Sequence, residues 1–85
     1  MYRVEFTSAA ARQVRKLPRE HRARIQARMR QLGNEPRPAG AIKLAGETTA
    51  WRVRVGDYRV IYDIFDDVLV ITVVAVGHRR EVYRA

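Results

Sequence analysis

Residues 51–62, WRVRVGDYRVIY, decide how this chain folds. Gly56-Asp57 is a Gly-X pair between two alternating runs, the pattern of a two-residue type II′ hairpin turn. Such a turn sets Val55 opposite Tyr58, Arg54 opposite Arg59, Val53 opposite Val60 and Arg52 opposite Ile61. Side chains alternate along a strand, so Trp51, Val53, Val55, Tyr58, Val60 and Tyr62 share an apolar face. Arg52, Arg54 and Arg59 share the other. Like charges facing across a ladder destabilise a sheet, by something under about 1 kcal/mol per pair. A single arginine on a strand is ordinarily just solvated. Two set opposite each other, with a third one pleat away, predict an anion site, and the planar guanidinium fork points to phosphate.

Outward from the hairpin, residues 2–6 (YRVEF) alternate as a first strand with Tyr2, Val4 and Phe6 toward the core. Thr7 and Ser8 offer an N-cap for a helix through about Leu17, where Pro18 stops it. A second helix is expected from Arg19 to Leu32, with Ile25, Met29 and Leu32 at helical spacing and Gly33-Asn34 closing it. Residues 35–47 are rich in Pro and Gly and read as a loop, with Lys43 and Leu44 entering the next strand. Beyond the hairpin, a turn at Asp66-Asp67 leads to the nearly continuous apolar run VLVITVVAVG, expected to be central and covered on both faces. The order βααβββ predicts one α+β domain over residues 1–85, an antiparallel sheet packed on a helical hairpin with the arginine face left open.

Composition narrows the partners. There is no cysteine, which removes disulfides and thiolate chemistry, and two histidines, His21 and His78, are too few for a metal cluster. No cofactor is expected. The N-terminal MYRVEF enters a strand directly, so no signal peptide is expected, and the longest apolar run, about nine residues, is far short of a membrane span. The expected compartment is the cytoplasm, without membrane contact. A net charge of +8 attracts polyanions at long range, nucleic acid first and an acidic protein second.

The last strand ends in His78, Arg79 and Arg80. With the turn at Asp66-Asp67, Ile64 would pair with Leu69 and Arg59 with Val74, and unbroken alternation would put His78 and Arg80 on the arginine face. A bulge at Gly77 would instead turn Arg79 to that face, so periodicity leaves the two arginines as alternatives. Tyr83, where the chain can fold back, is either an aromatic packed on the sheet edge or a phenol whose pKa the cationic cluster lowers. Tyr2, Tyr58, Tyr62 and Trp51 read as core, and His21 and the arginines of the second helix as solvated.

The segments Lys43-Leu44-Ala45-Gly46, Trp51-Arg52-Val53-Arg54, Gly56 to Tyr62 and Val76 to Tyr83, in this order, resemble the RelE/ParE superfamily of toxin–antitoxin toxins, and within it the RelE-like branch. That resemblance implies the toxin of a type II module: an endoribonuclease that cuts mRNA on the ribosome without a metal, the 2′-oxygen attacking the phosphate to leave a 2′,3′-cyclic phosphate. It implies catalytic roles for Arg52, Arg54, Arg59, Arg79 and Tyr83, RNA contacts from Lys43, His78 and Arg80, and an acidic, RelB-like antitoxin as partner. The best-known members carry lysines where Arg52 and Arg54 stand, and arginine cannot serve as a general base, which leaves Tyr83 or ribosomal RNA for that role. The competing readings are a ParE-like inhibitor of DNA gyrase and a degenerate, non-toxic relative.

Overall fold

The computed structural model describes residues 1–78. Five strands and two helices follow in the order β1 (Arg3–Phe6), α1 (Ser8–Arg15), α2 (Arg19–Asn34), β2 (Ile42–Lys43), β3 (Ala50–Val55), β4 (Tyr58–Phe65) and β5 (Val70–His78). The strands form one sheet in the order β1-β5-β4-β3-β2. All pairs are antiparallel except β1 and β5, which run parallel with Arg3 beside Val70 and Phe6 beside Val73. The expected α+β domain is therefore present, with a mixed sheet. A helical hairpin between β1 and the remaining strands returns the chain to the end of the sheet from which β1 started, so β1 can only join alongside β5.

Each helix boundary has a local cause. The Thr7 side chain accepts from the Ala10 N–H at 3.1 Å and caps α1. Pro18 then separates α1 from α2. α2 continues past Leu32 through Gly33 and Asn34, because the first strand lies against its last turn: the Tyr2 N–H donates to the Gly33 carbonyl at 2.7 Å. A Cβ on Gly33 would stand 2.9 Å from the Tyr2 carbonyl oxygen, so the absence of a side chain permits that approach.

The core is a single layer between helices and sheet. Ala10 and Val14 of α1 and Ile25, Met29 and Leu32 of α2 pack on Val53, Val55, Val60, Tyr62, Ile64, Ile71, Val73 and Val76. Full burial of each such aliphatic side chain is worth roughly 1.5–3 kcal/mol. Trp51 and Tyr58 are partly buried against the same cluster, as the alternation predicts.

The β3–β4 hairpin has the expected register throughout, and Gly56 takes φ +60°, as the first position of a type II′ turn requires. The β4–β5 connection departs from expectation. Ile64 pairs with Ile71 and Phe65 with Val70, so residues 66–69 form a four-residue loop, with Leu69 in the left-handed region at φ 56°. Asp66, the first residue of this loop, is held by Arg37, whose guanidinium meets the carboxylate at 2.8 Å, and by the Tyr2 hydroxyl, which also donates to it. Farther along, Ile61 pairs with Ala75 but Tyr62 with Val73, leaving Val74 as an extra residue. β4, not β5, is the middle strand, and β5 lies between it and β1. The core helices cover the sheet on one face.

Candidate anion site on the open sheet face

The arginine face is built by β3 and β4. Arg54 lies directly opposite Arg59, and Arg52 directly opposite Ile61, so all three point away from the helices. Cross-strand neighbours of this kind hold their Cβ atoms about 5 Å apart. Arg52 and Arg59 are half-buried and Arg54 is exposed. Arg54 is oriented by its own turn, its Nε donating to the Gly56 carbonyl at 2.9 Å. Among the described residues no carboxylate lies within ion-pair distance of the three; the ion pairs there join Arg3 to Glu5 and Arg37 to Asp66. The result is a patch of positive charge without an ion-paired carboxylate among the described residues. Such an array can bind a phosphate and stabilise negative charge that grows on it during reaction.

The bulge at Val74 decides which other residues join this patch. It moves Gly77 opposite Arg59 and His78 opposite Tyr58, on the helix side, where the His78 and Tyr58 rings meet edge to face at 6.0 Å. The parity change foreseen for Gly77 thus occurs three residues earlier, and His78 does not share the arginine face. Lys43 is also separated from it: Lys43 pairs with Trp51 and Ile42 with Arg52, so Ile42 occupies the arginine side of the edge strand. Arg79, Arg80 and Tyr83 lie outside the described residues.

Two neighbours were missed by the sequence reading. Arg24 of α2 reaches the hairpin tip, its Nη1 standing 3.3 Å from where a Cβ on Gly56 would be. Nothing in the helical period distinguishes Arg24 from the other α2 arginines. His21 stacks on Tyr58 with ring centroids 5.0 Å apart. Its signal was present, since His21 stands four residues before Ile25 on the buried stripe continued by Met29.

A second cluster braces the site's far end. Arg37 lies over the Trp51 ring at 5.4 Å while pairing with Asp66. The Arg37 hydrogen bond first, and the Tyr2 hydroxyl second, hold the Asp66 carboxyl below its ordinary range. The buried Tyr62 phenol donates to the Pro36 carbonyl at 2.8 Å, and burial pushes its pKa up to about 12. These contacts fasten the Pro-rich loop before β2 to the same strands that carry the arginines.

Comparison with known proteins places this architecture in a defined class. The family described as the ParE toxin of type II toxin–antitoxin systems, parDE, matches residues 4–83. The chain is 36% identical over 87 residues to toxin RelG of Mycobacterium tuberculosis, covering 98% of this chain and 97% of that protein. The archaeal RelE–RelB complex from Pyrococcus horikoshii superposes with a TM-score of 0.83 at 31% identity, over 95% of this chain and 98% of that one. The RelBE2 toxin–antitoxin complex of M. tuberculosis gives 0.82 at 31% identity, over 92% and 98%. A small α+β domain with an open basic sheet face is the class that fold and site define. The chain belongs to the RelE/ParE superfamily of type II toxin–antitoxin toxins, on its RelE-like side.

Proposed function

We propose that this toxin is a ribosome-dependent mRNA endoribonuclease acting in the cytoplasm. The observation that carries the reading is the Arg52, Arg54 and Arg59 face, three arginines of one hairpin on one side of the sheet with no ion pair to a carboxylate among the described residues. The ribose 2′-oxygen attacks the adjacent phosphorus, the new P–O2′ bond forms, and the P–O5′ bond breaks; the departing 5′-oxygen takes a proton from solvent, leaving a 2′,3′-cyclic phosphate and a 5′-hydroxyl. The pentacoordinate intermediate carries extra negative charge on its oxygens, which fixed guanidinium groups stabilise without a metal. Arg59 holds the scissile phosphate, with Arg52 and Arg54 beside it and Arg79 at the leaving group. A proton must leave the 2′-hydroxyl. No arginine can take it, which leaves Tyr83 or ribosomal RNA as the acceptor. The partner that silences the toxin is an antitoxin offering carboxylates to the arginine face, in keeping with the toxin–antitoxin complexes among its structural relatives.

Mapping mRNA 5′ ends on programmed ribosomes tests this. Wild type should produce cuts in the A-site codon, Arg59→Ala should abolish them, and Tyr83→Phe should slow them strongly. Growth arrest without any cuts would sink the nuclease reading. The second reading is a ParE-like toxin acting on gyrase, in keeping with a matching family described as the ParE toxin, and blocked replication with intact mRNA would support it.

A further inference from the structure

We infer that the tip of the β3–β4 hairpin is a second phosphate subsite, in which Arg24 and Arg54 hold the RNA phosphate next to the scissile one. The inference rests on the nuclease reading and deepens it. Two arginines reach Gly56 from opposite sides of the sheet. Arg54 comes from the open face, its Nε donating to the Gly56 carbonyl at 2.9 Å. Arg24 comes from α2, on the helix side, and its Nη1 stands 3.3 Å from the place a Cβ on Gly56 would take. Glycine suits φ +60° there, and its missing side chain also leaves room for a ligand oxygen to approach both guanidinium groups.

Both cations keep donors to spare. Among the described residues Arg24 makes no hydrogen bond or ion pair, and Arg54 makes only the one to Gly56. Asp57, the other turn residue, is exposed and joins no ion pair among the described residues, so no carboxylate there takes either guanidinium. An exposed arginine is ordinarily just solvated. Arg24 differs in being fixed at its root. Ile25 beside it is buried in the core, and His21, one turn earlier, stacks on Tyr58 with ring centroids 5.0 Å apart. That contact ties α2 to the first residue of β4, so Arg24 is held over the turn from which β4 starts. A guanidinium fork held in place loses less freedom when it takes a phosphate oxygen.

The path from the reaction centre is short. Arg59, which receives the scissile phosphate in that reading, lies directly opposite Arg54, and the Cβ atoms of such a pair stand about 5 Å apart. Arg54 thus links Arg59 to the tip. The turn residues project beyond the last ladder pair of the hairpin, Val55 with Tyr58. An RNA strand with its scissile phosphate on Arg59 brings the adjoining phosphate to this tip, where Arg54 meets it from one side and Arg24 from the other. A second phosphate held there fixes the direction of the chain at the scissile bond, and in-line attack demands that alignment.

The test is an NMR titration of the full-length protein with 2′-O-methyl oligonucleotides, which lack the nucleophile: a dinucleotide with one phosphate and a trinucleotide with two. The trinucleotide should bind about tenfold tighter and shift the Arg24 and Arg54 side-chain Nε–H signals along with that of Arg59. Arg24→Gln should remove that advantage. Arg30→Gln makes the same change in net charge farther along α2, beside Met1 and Gly33, and should keep it. Both positions are exposed, so the melting temperatures of both variants should match wild type. Equal losses in the two variants, or no trinucleotide shift at Arg24, would overturn the subsite in favour of diffuse charge. Weaker pelleting of Arg24→Gln with vacant ribosomes, without an effect on the trinucleotide, would assign Arg24 to ribosomal RNA and overturn it as well. In each of these cases A-site cuts by wild type can persist, and the cleavage maps decide the nuclease reading separately.

Discussion

At the scale of single residues, the site is a place where stability is given up for binding. Arg54 and Arg59 face each other, and among the described residues Arg54 hydrogen-bonds the Gly56 carbonyl. Replacing Arg59 by threonine removes the repulsion and introduces a β-branched residue suited to a middle strand. Urea unfolding should show Arg59→Thr more stable than wild type by a few tenths to about 1 kcal/mol, while A-site cleavage is lost. A second residue-scale prediction concerns Asp66, whose carboxyl is held below its ordinary pKa by Arg37 and Tyr2. A depressed carboxylate contributes stability above its unfolded pKa, about 3.9, and loses it as pH falls through the folded value. Thermal melts should therefore separate wild type from Asp66→Asn at neutral pH, and the two curves should converge as pH drops below about 4. Tyr62 has the opposite sign. Its stabilising contribution holds below about pH 10 and is lost as pH rises toward about 12, so its phenolate should appear in ultraviolet titration only with unfolding.

At the scale of elements, what could be read from sequence divides by range of interaction. The β3–β4 hairpin was legible to the residue because its register depends on a two-residue turn and on alternation within twelve residues. So were the helix starts and the core stripe Ile25, Met29 and Leu32. The β4–β5 register was not: its loop begins at Asp66, whose partners are Arg37, twenty-nine residues away, and Tyr2, sixty-four away. The Val74 bulge carries no composition signal such as glycine, and it alone removes His78 from the arginine face. The face on which Lys43 stands was not legible either, since a two-residue strand has too little alternation to set its own parity. Close approaches are the element-scale prediction. Gly33→Ala would place a methyl 2.9 Å from the Tyr2 carbonyl, between backbones that cannot yield like a side chain. It should cost about 1–3 kcal/mol in chemical denaturation. Gly56→Ala meets only the flexible tip of Arg24 but forces φ +60° on an alanine, for a loss of about 1–2 kcal/mol.

At the scale of the whole molecule, charge governs encounter and the sheet governs assembly. With +8 net charge, association with RNA should weaken steeply with salt. If the three face arginines each neutralise one phosphate, the plot of log affinity against log salt should fall with a slope of at least about −2 on single strands, and Arg59→Ala should flatten it by roughly 0.7. An unchanged slope would place the phosphate contacts elsewhere.

The parallel pairing of β1 with β5 has a consequence in time. A chain made from its N-terminus holds β1 without a partner until Val70–Val73 exists, and the arginine hairpin with only the two-residue β2 beside it. A two-stranded hairpin alone is marginal in water. The charged face is therefore flanked on both sides only after most of the polypeptide has been synthesised.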